Sequence, residues 1–403
     1  MAESPLLARL AADLAGEQAD ATGVVERFTA EVQRIGTPVV EPAPEPGWEL
    51  FSFVWIGEAP HGVLLQLNRV SDPLDPADTL LRPIGDGRVH ALTLQLPSAW
   101  LASYQLVVLP EPLPDKGRAT LPAQTRAALA RSARQDPYAR VTIPNKASVA
   151  SGGVEPPRLG VARGADAPAV ELWRHEVPPT ERLAPVPSPV NGTELGLHRW
   201  SHSAAGPASP VVLLGDGEGW ADRFPIAAEL DARVDAGACP PLHVVMLESG
   251  GPVQRQVDYT GTADQLRGLL TAVRDRVGVD GPWIVAGQSL GGLLAARSAT
   301  LLPDLVAAGI AQSPSLWWPT PPHPWERGRG WFEERAENGG SPILVECGAF
   351  EWGLVERARA AAALLTAQGG LIDSREVYGG HDVLWWQATL PQAVVDAVRA
   401  VTA

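Results

Sequence analysis

At 403 residues the chain is long enough for two domains of ordinary size, and its 45% hydrophobic and 19% charged residues exclude a disordered or low-complexity polymer. A formal net charge of -14 speaks against a general nucleic-acid or anionic-membrane binder, which needs a positive surface. The two cysteines, Cys239 and Cys347, exclude a disulfide framework and show no metal-type spacing, which suits a reducing compartment.

The N-terminal "MAESPLLARLAADLAGEQAD" has no basic leader and no long apolar stretch, so it reads as an amphipathic helix. No uncharged run approaches a membrane span, and the expectation is a soluble cytoplasmic protein. From Trp48 to about Leu109 short strands follow one another, "WELFSFVWIG", "GVLLQLNRV" and "HALTLQLP", the last alternating Leu92, Leu94 and Leu96 with Thr93 and Gln95. These predict a small β-sandwich. Residues 111 to about 168 are rich in Pro, Arg, Gly and Ser and read as a linker or irregular cover, which sets the expected domains at 1–170 and 171–403. Beyond the boundary, apolar strands "VVLLGDG", "HVVMLESG", "WIVAG", "LVAAGIAQ" and "ILVECG" alternate with helices. One of these helices carries Leu266, Leu269, Leu270, Val273 and Val277 on a single face. Such a texture predicts a mostly parallel sheet flanked by helices. No internal repeat is visible.

Within that second half, "VAGQSLGGL" fits G-x-S-x-G between the strand "WIVAG" and the helical "LLAARSATLL", the setting of a nucleophile elbow centred on Ser289. Gly287 and Gly291 are expected where the chain passes too close to tolerate a Cβ. A serine hydroxyl needs a general base, which in the α/β-hydrolase order comes last. Two histidines follow: His323 among prolines, and His381 in "YGGHDVLWW", between a last strand and a terminal helix. His381 is the better placed. For the carboxylate that orients the base, Glu351 and Glu346 are the candidates; Glu351 follows Gly348, and its competing role is a first-turn acid on the next helix. Asp382 is too close to His381 in the chain to reach its ring. The oxyanion donors are expected from the backbone of Leu290 and from Gly217 and Glu218 in "GDGEGW".

Together, "DGEGW", "VAGQSLGGL", "QSPSLWWP", "ECGAFE" and "GGHDVLWW" resemble the enterochelin (enterobactin) esterase family, and "VLLQLNRVSD" with "LQLPSAWLASYQL" is similar to that family's N-terminal domain. The resemblance runs over roughly residues 48 to 403. It implies an α/β-hydrolase domain preceded by the β-sandwich, and a cytoplasmic serine esterase acting on the trilactone of a ferric catechol siderophore. Ser289 would be nucleophile, His381 base and Glu351 acid, and Arg255 would contact the anionic ligand. Two positions depart from the family's pattern: Gln387 stands where an arginine is common, and Thr262 where an asparagine is.

Six of the 14 tryptophans, Trp220, Trp317, Trp318, Trp352, Trp385 and Trp386, fall inside these segments and are expected to wall a site for flat catechol rings, with core filling as their alternative. Arg223, Arg255, Arg327 and Arg329 are candidates for a local basic patch. The expected partner is a ferric siderophore, taken as substrate by a monomer or homodimer, with neither nucleic acid nor membrane. No metal or organic cofactor is expected, iron arriving only within the substrate. The alternatives are an esterase or acyltransferase on other aryl or acyl esters, and a siderophore-binding protein without catalysis.

Overall fold

The computed structural model describes residues 4–16, 20–67, 76–113, 132–145, 158–169, 178–224, 226–319 and 330–402. The chain forms two compact units, one of Met1–Pro168 with Tyr378–Trp385, the other of Ala169–Val377 with Trp386–Ala403.

The first unit begins with two helices, α1 (Pro5–Ala15) and α2 (Ala21–Ile35). Ser4 starts α1 by accepting a hydrogen bond from the Leu7 N–H at 3.3 Å, and Pro5 supplies a preset first-turn φ. Their apolar faces, Leu6, Leu7, Leu10, Val24, Val25, Phe28 and Val32, pack with Val54, Val89 and Ala91 of the strands that follow. Those strands are β1 (Val39–Pro42), β2 (Trp48–Ile56), β3 (Val63–Leu67), β4 (Leu80–Ile84), β5 (Val89–Pro97), β6 (Leu101–Val108), β7 (Ala133–Arg134), β8 (Thr142–Ile143) and β9 (Leu159–Arg163). Leu50 through Val54 are all buried, so both faces of β2 are covered.

The strands run as one antiparallel path, β1-β2-β5-β4-β3-β6-β9-β8, with β7 beside β6. Within this path β4 pairs with β5 on one side and β3 on the other. The stretch read as linker differs from its expectation. It contributes β9, whose Gly160 lets the Tyr104 ring of β6 lie where a Cβ would come within 2.6 Å of it. A buried Asp136 carboxylate then ties the same stretch inward, accepting hydrogen bonds from Thr37 Oγ1 at 2.7 Å and Tyr104 Oη at 2.8 Å. Such long-range partners leave no local mark in a Pro- and Gly-rich sequence.

The second unit holds a mixed sheet of β10 (Glu181–Pro187), β11 (Glu194–Ser201), β12 (Val211–Leu214), β13 (His243–Leu247), β14 (Trp283–Gln288), β15 (Ala308–Gln312), β16 (Ile343–Gly348) and β17 (Leu371–Val377), in the order β10-β11-β13-β12-β14-β15-β16-β17. The pairs β10/β11 and β11/β13 are antiparallel and every later pair is parallel. β12 to β16 are buried at every residue, as strands covered on both faces must be. The helices are α3 (Gly217–Asp222), α4 (Ile226–Asp235), α5 (Pro252–Tyr259), α6 (Ala263–Val277), α7 (Leu290–Leu301), α8 (Trp331–Asn338), α9 (Val355–Ala367) and α10 (Val383–Thr402). Leu266, Leu269, Leu270, Val273 and Val277 of α6 enter the core together. Among the described residues no helix is long and apolar enough to cross a membrane.

Candidate active site

Three non-glycine residues of the described chain have positive φ: Asp216 at 56°, Ser289 at 59° and Ser313 at 45°. Each stands just past the carboxyl end of a parallel strand, β12, β14 and β15, and these three strands are neighbours. L-residues adopt such backbone only where surrounding structure over-determines it, and the carboxyl edge of an open parallel sheet is where ligand sites form.

Ser289 joins β14 to α7 with ψ -117°. Its N–H donates to the Gln312 carbonyl at 3.0 Å, and its own carbonyl accepts from the N–H groups of Leu293 and Ser315, both at 3.0 Å. Its Oγ lies 3.5 Å from Ser315 Oγ. Gly287 is required, since a Cβ there would come within 2.5 Å of the Gly291 carbonyl carbon. Gly291 is not required in the way expected: its nearest neighbour would be Asp216 Oδ2 at 3.6 Å, an ordinary contact. Gly292 is the tighter position, a Cβ there meeting the Gln312 carbonyl oxygen at 2.9 Å. The helix passes closest to β15 one residue later than the motif implies.

Glu351 lies beyond β16 and is fully buried. Its Oε1 accepts from Ser313 Oγ at 2.5 Å and from the Gly348 N–H at 2.8 Å. Ser313 Oγ in turn accepts from Trp386 Nε1 at 2.8 Å. The other acidic candidate, Glu346, has a different occupation. It accepts from Gln312 Nε2 and Thr389 Oγ1, each at 2.7 Å, and from Arg375 Nη1 at 3.1 Å. Gln288 Nε2 donates to Gln312 Oε1 at 2.8 Å, so Glu346 anchors a polar chain beneath the elbow. Burial raises its pKa, against the pull of Gln312, Thr389 and Arg375.

Gly217 and Glu218 form the first turn of α3, where helix geometry leaves N–H groups without an i-4 carbonyl. A Cβ on Gly217 would strike the Met246 carbonyl carbon at 2.4 Å, so only glycine lets the turn sit against β13. Glu218 turns its carboxylate to the Ser249 N–H at 2.9 Å. Leu290 opens α7 in the same way. Arg255, expected to meet a ligand, is paired within the protein: Nε and Nη2 grip the Asp216 carboxylate at 2.6 and 2.8 Å, and Nη2 also reaches the Gln288 carbonyl at 3.0 Å. A largely buried guanidinium needs such a partner. Burial works to lower its pKa, but the Asp216 charge and hydrogen bonds win and the net shift is upward.

His381 is half-buried, in the Tyr378–Trp385 segment that groups with the first unit. The Leu101 N–H of β6 donates to the Tyr378 carbonyl at 2.8 Å. Asp382 Oδ2 accepts from the Ser103 N–H at 2.6 Å and from Ser103 Oγ at 2.8 Å, and its Oδ1 from the Leu384 N–H at 2.8 Å. Sequence reasoning gave no role to Ser103 or Ser313, although both lie within segments quoted for the resemblance, "LQLPSAWLASYQL" and "QSPSLWWP". His323, Arg327 and Arg329 lie outside the described residues.

The tryptophans divide. Trp317 and Trp352 are 40% and 49% exposed. Trp220, Trp385 and Trp386 are buried, at 2%, 0% and 6%: Trp220 packs edge-on against Phe224 at 5.4 Å, Trp385 Nε1 donates to the Gly380 carbonyl at 2.6 Å, and Trp386 Nε1 donates to Ser313 Oγ. Trp318 is covered on one face by the Arg297 guanidinium, 4.9 Å from its ring centre. Large rings that fill core space leave no face for stacking, which corrects the expectation of six ligand walls. Thr262 caps α6 in a capping box with Gln265, and Gln387 is buried.

Residues 197–397 match the family described as putative esterase, and residues 50–173 match that described as enterochelin esterase, N-terminal. Among curated relatives, the iron(III) salmochelin esterase of Escherichia coli is 24% identical, the match taking in 90% of this chain and 91% of that one. The iron(III) enterobactin esterase of Dickeya dadantii is 26% identical, with 91% of each covered. The crystal structure of the ferric enterobactin esterase of Salmonella typhimurium has a similar fold, with a TM-score of 0.72, 22% identity, and 90% of this chain and 96% of that one covered. The Shigella flexneri enterobactin esterase, crystallised in the presence of enterobactin, gives a TM-score of 0.70 at 21% identity, covering 91% of this chain and 97% of that one. Joined with the strained strand ends and the elbow, the two matched regions show that the chain belongs to the enterochelin esterase family.

Proposed function

We propose that this chain is a serine esterase that hydrolyses the ester bonds of a ferric catecholate siderophore of the trilactone type, with Ser289 as nucleophile, His381 as base and Glu351 as orienting acid. The observation that carries the reading is Ser289, a non-glycine residue at φ 59° between a buried strand and a helix. Strain of that kind presents a hydroxyl at the tip of a turn beside first-turn N–H donors. The substrate class is supported by the relatives named for iron(III) salmochelin and iron(III) enterobactin, and by the exposed faces of Trp317 and Trp352, which suit flat aryl groups.

His381 takes the Ser289 proton as Oγ attacks the ester carbonyl carbon. The negative charge on the former carbonyl oxygen is held by the N–H of Leu290 and those of Gly217 and Glu218. Collapse breaks the carbon–oxygen ester bond, and the leaving alkoxide takes the proton from His381. Water, deprotonated by the same imidazole, attacks the acyl-enzyme and releases the carboxylic acid, returning the proton to Ser289. Iron remains part of the substrate throughout.

The test is incubation with a ferric tris-catecholate trilactone and, separately, a simple aryl ester, with products read by mass spectrometry. The expected result is one water gained per ester cut by the parent and none by Ser289→Ala. Turnover surviving in Ser289→Ala refutes the serine route. Turnover of the aryl ester but not of the trilactone, iron-loaded or iron-free, refutes the substrate class.

A further inference from the structure

We infer that Ser313 is a positioning residue for the esterase reaction, holding the Glu351 carboxylate in one orientation; this rests on Glu351 being the acid of the proposed triad. Ser313 follows β15 with φ 45°, a backbone that glycine adopts without strain and serine does not. At a fully buried residue, backbone strain of this kind is offset by what the side chain bonds. That side chain is a single hydroxyl with a fixed direction. Trp386 Nε1–H occupies one lone pair of Oγ at 2.8 Å, so the serine's own proton points to Glu351 Oε1 at 2.5 Å. Gly348 N–H reaches the same oxygen at 2.8 Å. Two donors converging on Oε1 stop the carboxylate turning about its terminal bond and hold Oε2 in one direction. The backbone of Ser313 is itself tethered, its N–H donating to the Glu346 carbonyl at 2.7 Å, so the hydroxyl is referenced to the sheet. An acid that orients an imidazole works only if its own oxygens are oriented.

The bland alternative is a serine that merely satisfies a buried carboxylate. Two variants separate the roles, because Ser313→Ala and Ser313→Gly both delete the hydroxyl while only glycine relieves the backbone. On an aryl ester, both are expected to lose about tenfold or more in kcat with KM unchanged, the consequence of losing a charge-assisted hydrogen bond. Ser313→Gly is expected to melt above Ser313→Ala. Neither substitution should lower kcat further in a Glu351→Gln background, since the effect passes through that carboxylate. Recovery of parental kcat in Ser313→Gly would overturn the inference, leaving a turn residue and nothing more. So would a Ser313→Ala loss in the Glu351→Gln background equal to that in the parent. Ser289→Ala run alongside keeps the readings apart: activity there removes the serine route itself, whereas an enzyme that depends on Ser289 yet tolerates Ser313→Gly refutes only the positioning role.

Discussion

Gly287→Ala and Gly291→Ala are equivalent in the G-x-S-x-G motif and opposite in the structure. An alanine Cβ at 287 would lie 2.5 Å from the Gly291 carbonyl carbon, 2.6 Å from its oxygen and 2.8 Å from its Cα. Ordinary carbon contacts are about 3.5–4.0 Å, so the shortfall is roughly 1 Å. All three atoms are backbone of Gly291, in the first turn of α7, and cannot rotate away. Overpacking costs about 1–3 kcal/mol where side chains yield, and the upper end, about 3 kcal/mol, applies here. For a unit of this size each kcal/mol is worth roughly 2–4 °C, giving a melting temperature about 6–12 °C lower. At 291 the added Cβ meets Asp216 Oδ2 at 3.6 Å and Arg255 Nη2 and Tyr259 Cε2 at 3.9 Å, and the residue's φ is not left-handed. Alanine there should stabilise the first turn of α7 by up to about 0.5–1 kcal/mol through the smaller backbone entropy of the unfolded chain. Scanning calorimetry of the two variants beside the parent decides it. A Gly291→Ala protein melting as low as Gly287→Ala would refute the reasoning, as would a Gly287→Ala protein within about 2 °C of the parent.

Glu346 gives a pH prediction. Burial raises its folded-state pKa above the ordinary value of 4.5, so the stability it contributes in its protonated form is complete below 4.5 and is lost as pH rises through the raised value. Denaturant midpoints of the parent should carry that falling component upward from about pH 4.5 and those of Glu346→Gln should lack it; parallel curves would count against it. Trp317→Ala and Trp352→Ala should raise KM for an aryl substrate with little change in melting, whereas Trp385→Ala should cost about 3–5 kcal/mol of stability; kinetics and thermal melts on the same preparations show whether exposure separates the two classes. Arg255→Lys removes a fork that grips both oxygens of Asp216, and should cost about 2 kcal/mol and lower kcat, read from denaturant unfolding and steady-state turnover.

The elbow was legible because it is local: a buried strand, a strained residue between small ones and a helix are consecutive in the chain, and each leaves a compositional trace. The same holds for the buried runs of β12 to β16 and the apolar face of α6, where side-chain periodicity reports burial directly. Choosing between Glu351 and Glu346 was not of this kind. Both are acids near the end of one strand, and they part only because Ser313 and Gly348 meet one while Gln312, Thr389 and Arg375 surround the other.

Composition alone could not sort the tryptophans either, since a ring that fills the core and a ring that faces a ligand are the same residue type. The pairing of Arg255 with Asp216 joins residues 39 apart in the chain, and the Asp382 bond to Ser103 spans 279. The sequence therefore made legible the strands and helices around the parallel sheet, their order and the turn at Ser289. The tertiary structure decided which groups surround each carboxylate, which indoles are exposed and that Ser313 is strained as well as Ser289, because hydrogen bonding and burial depend on distances in space that chain separation does not encode.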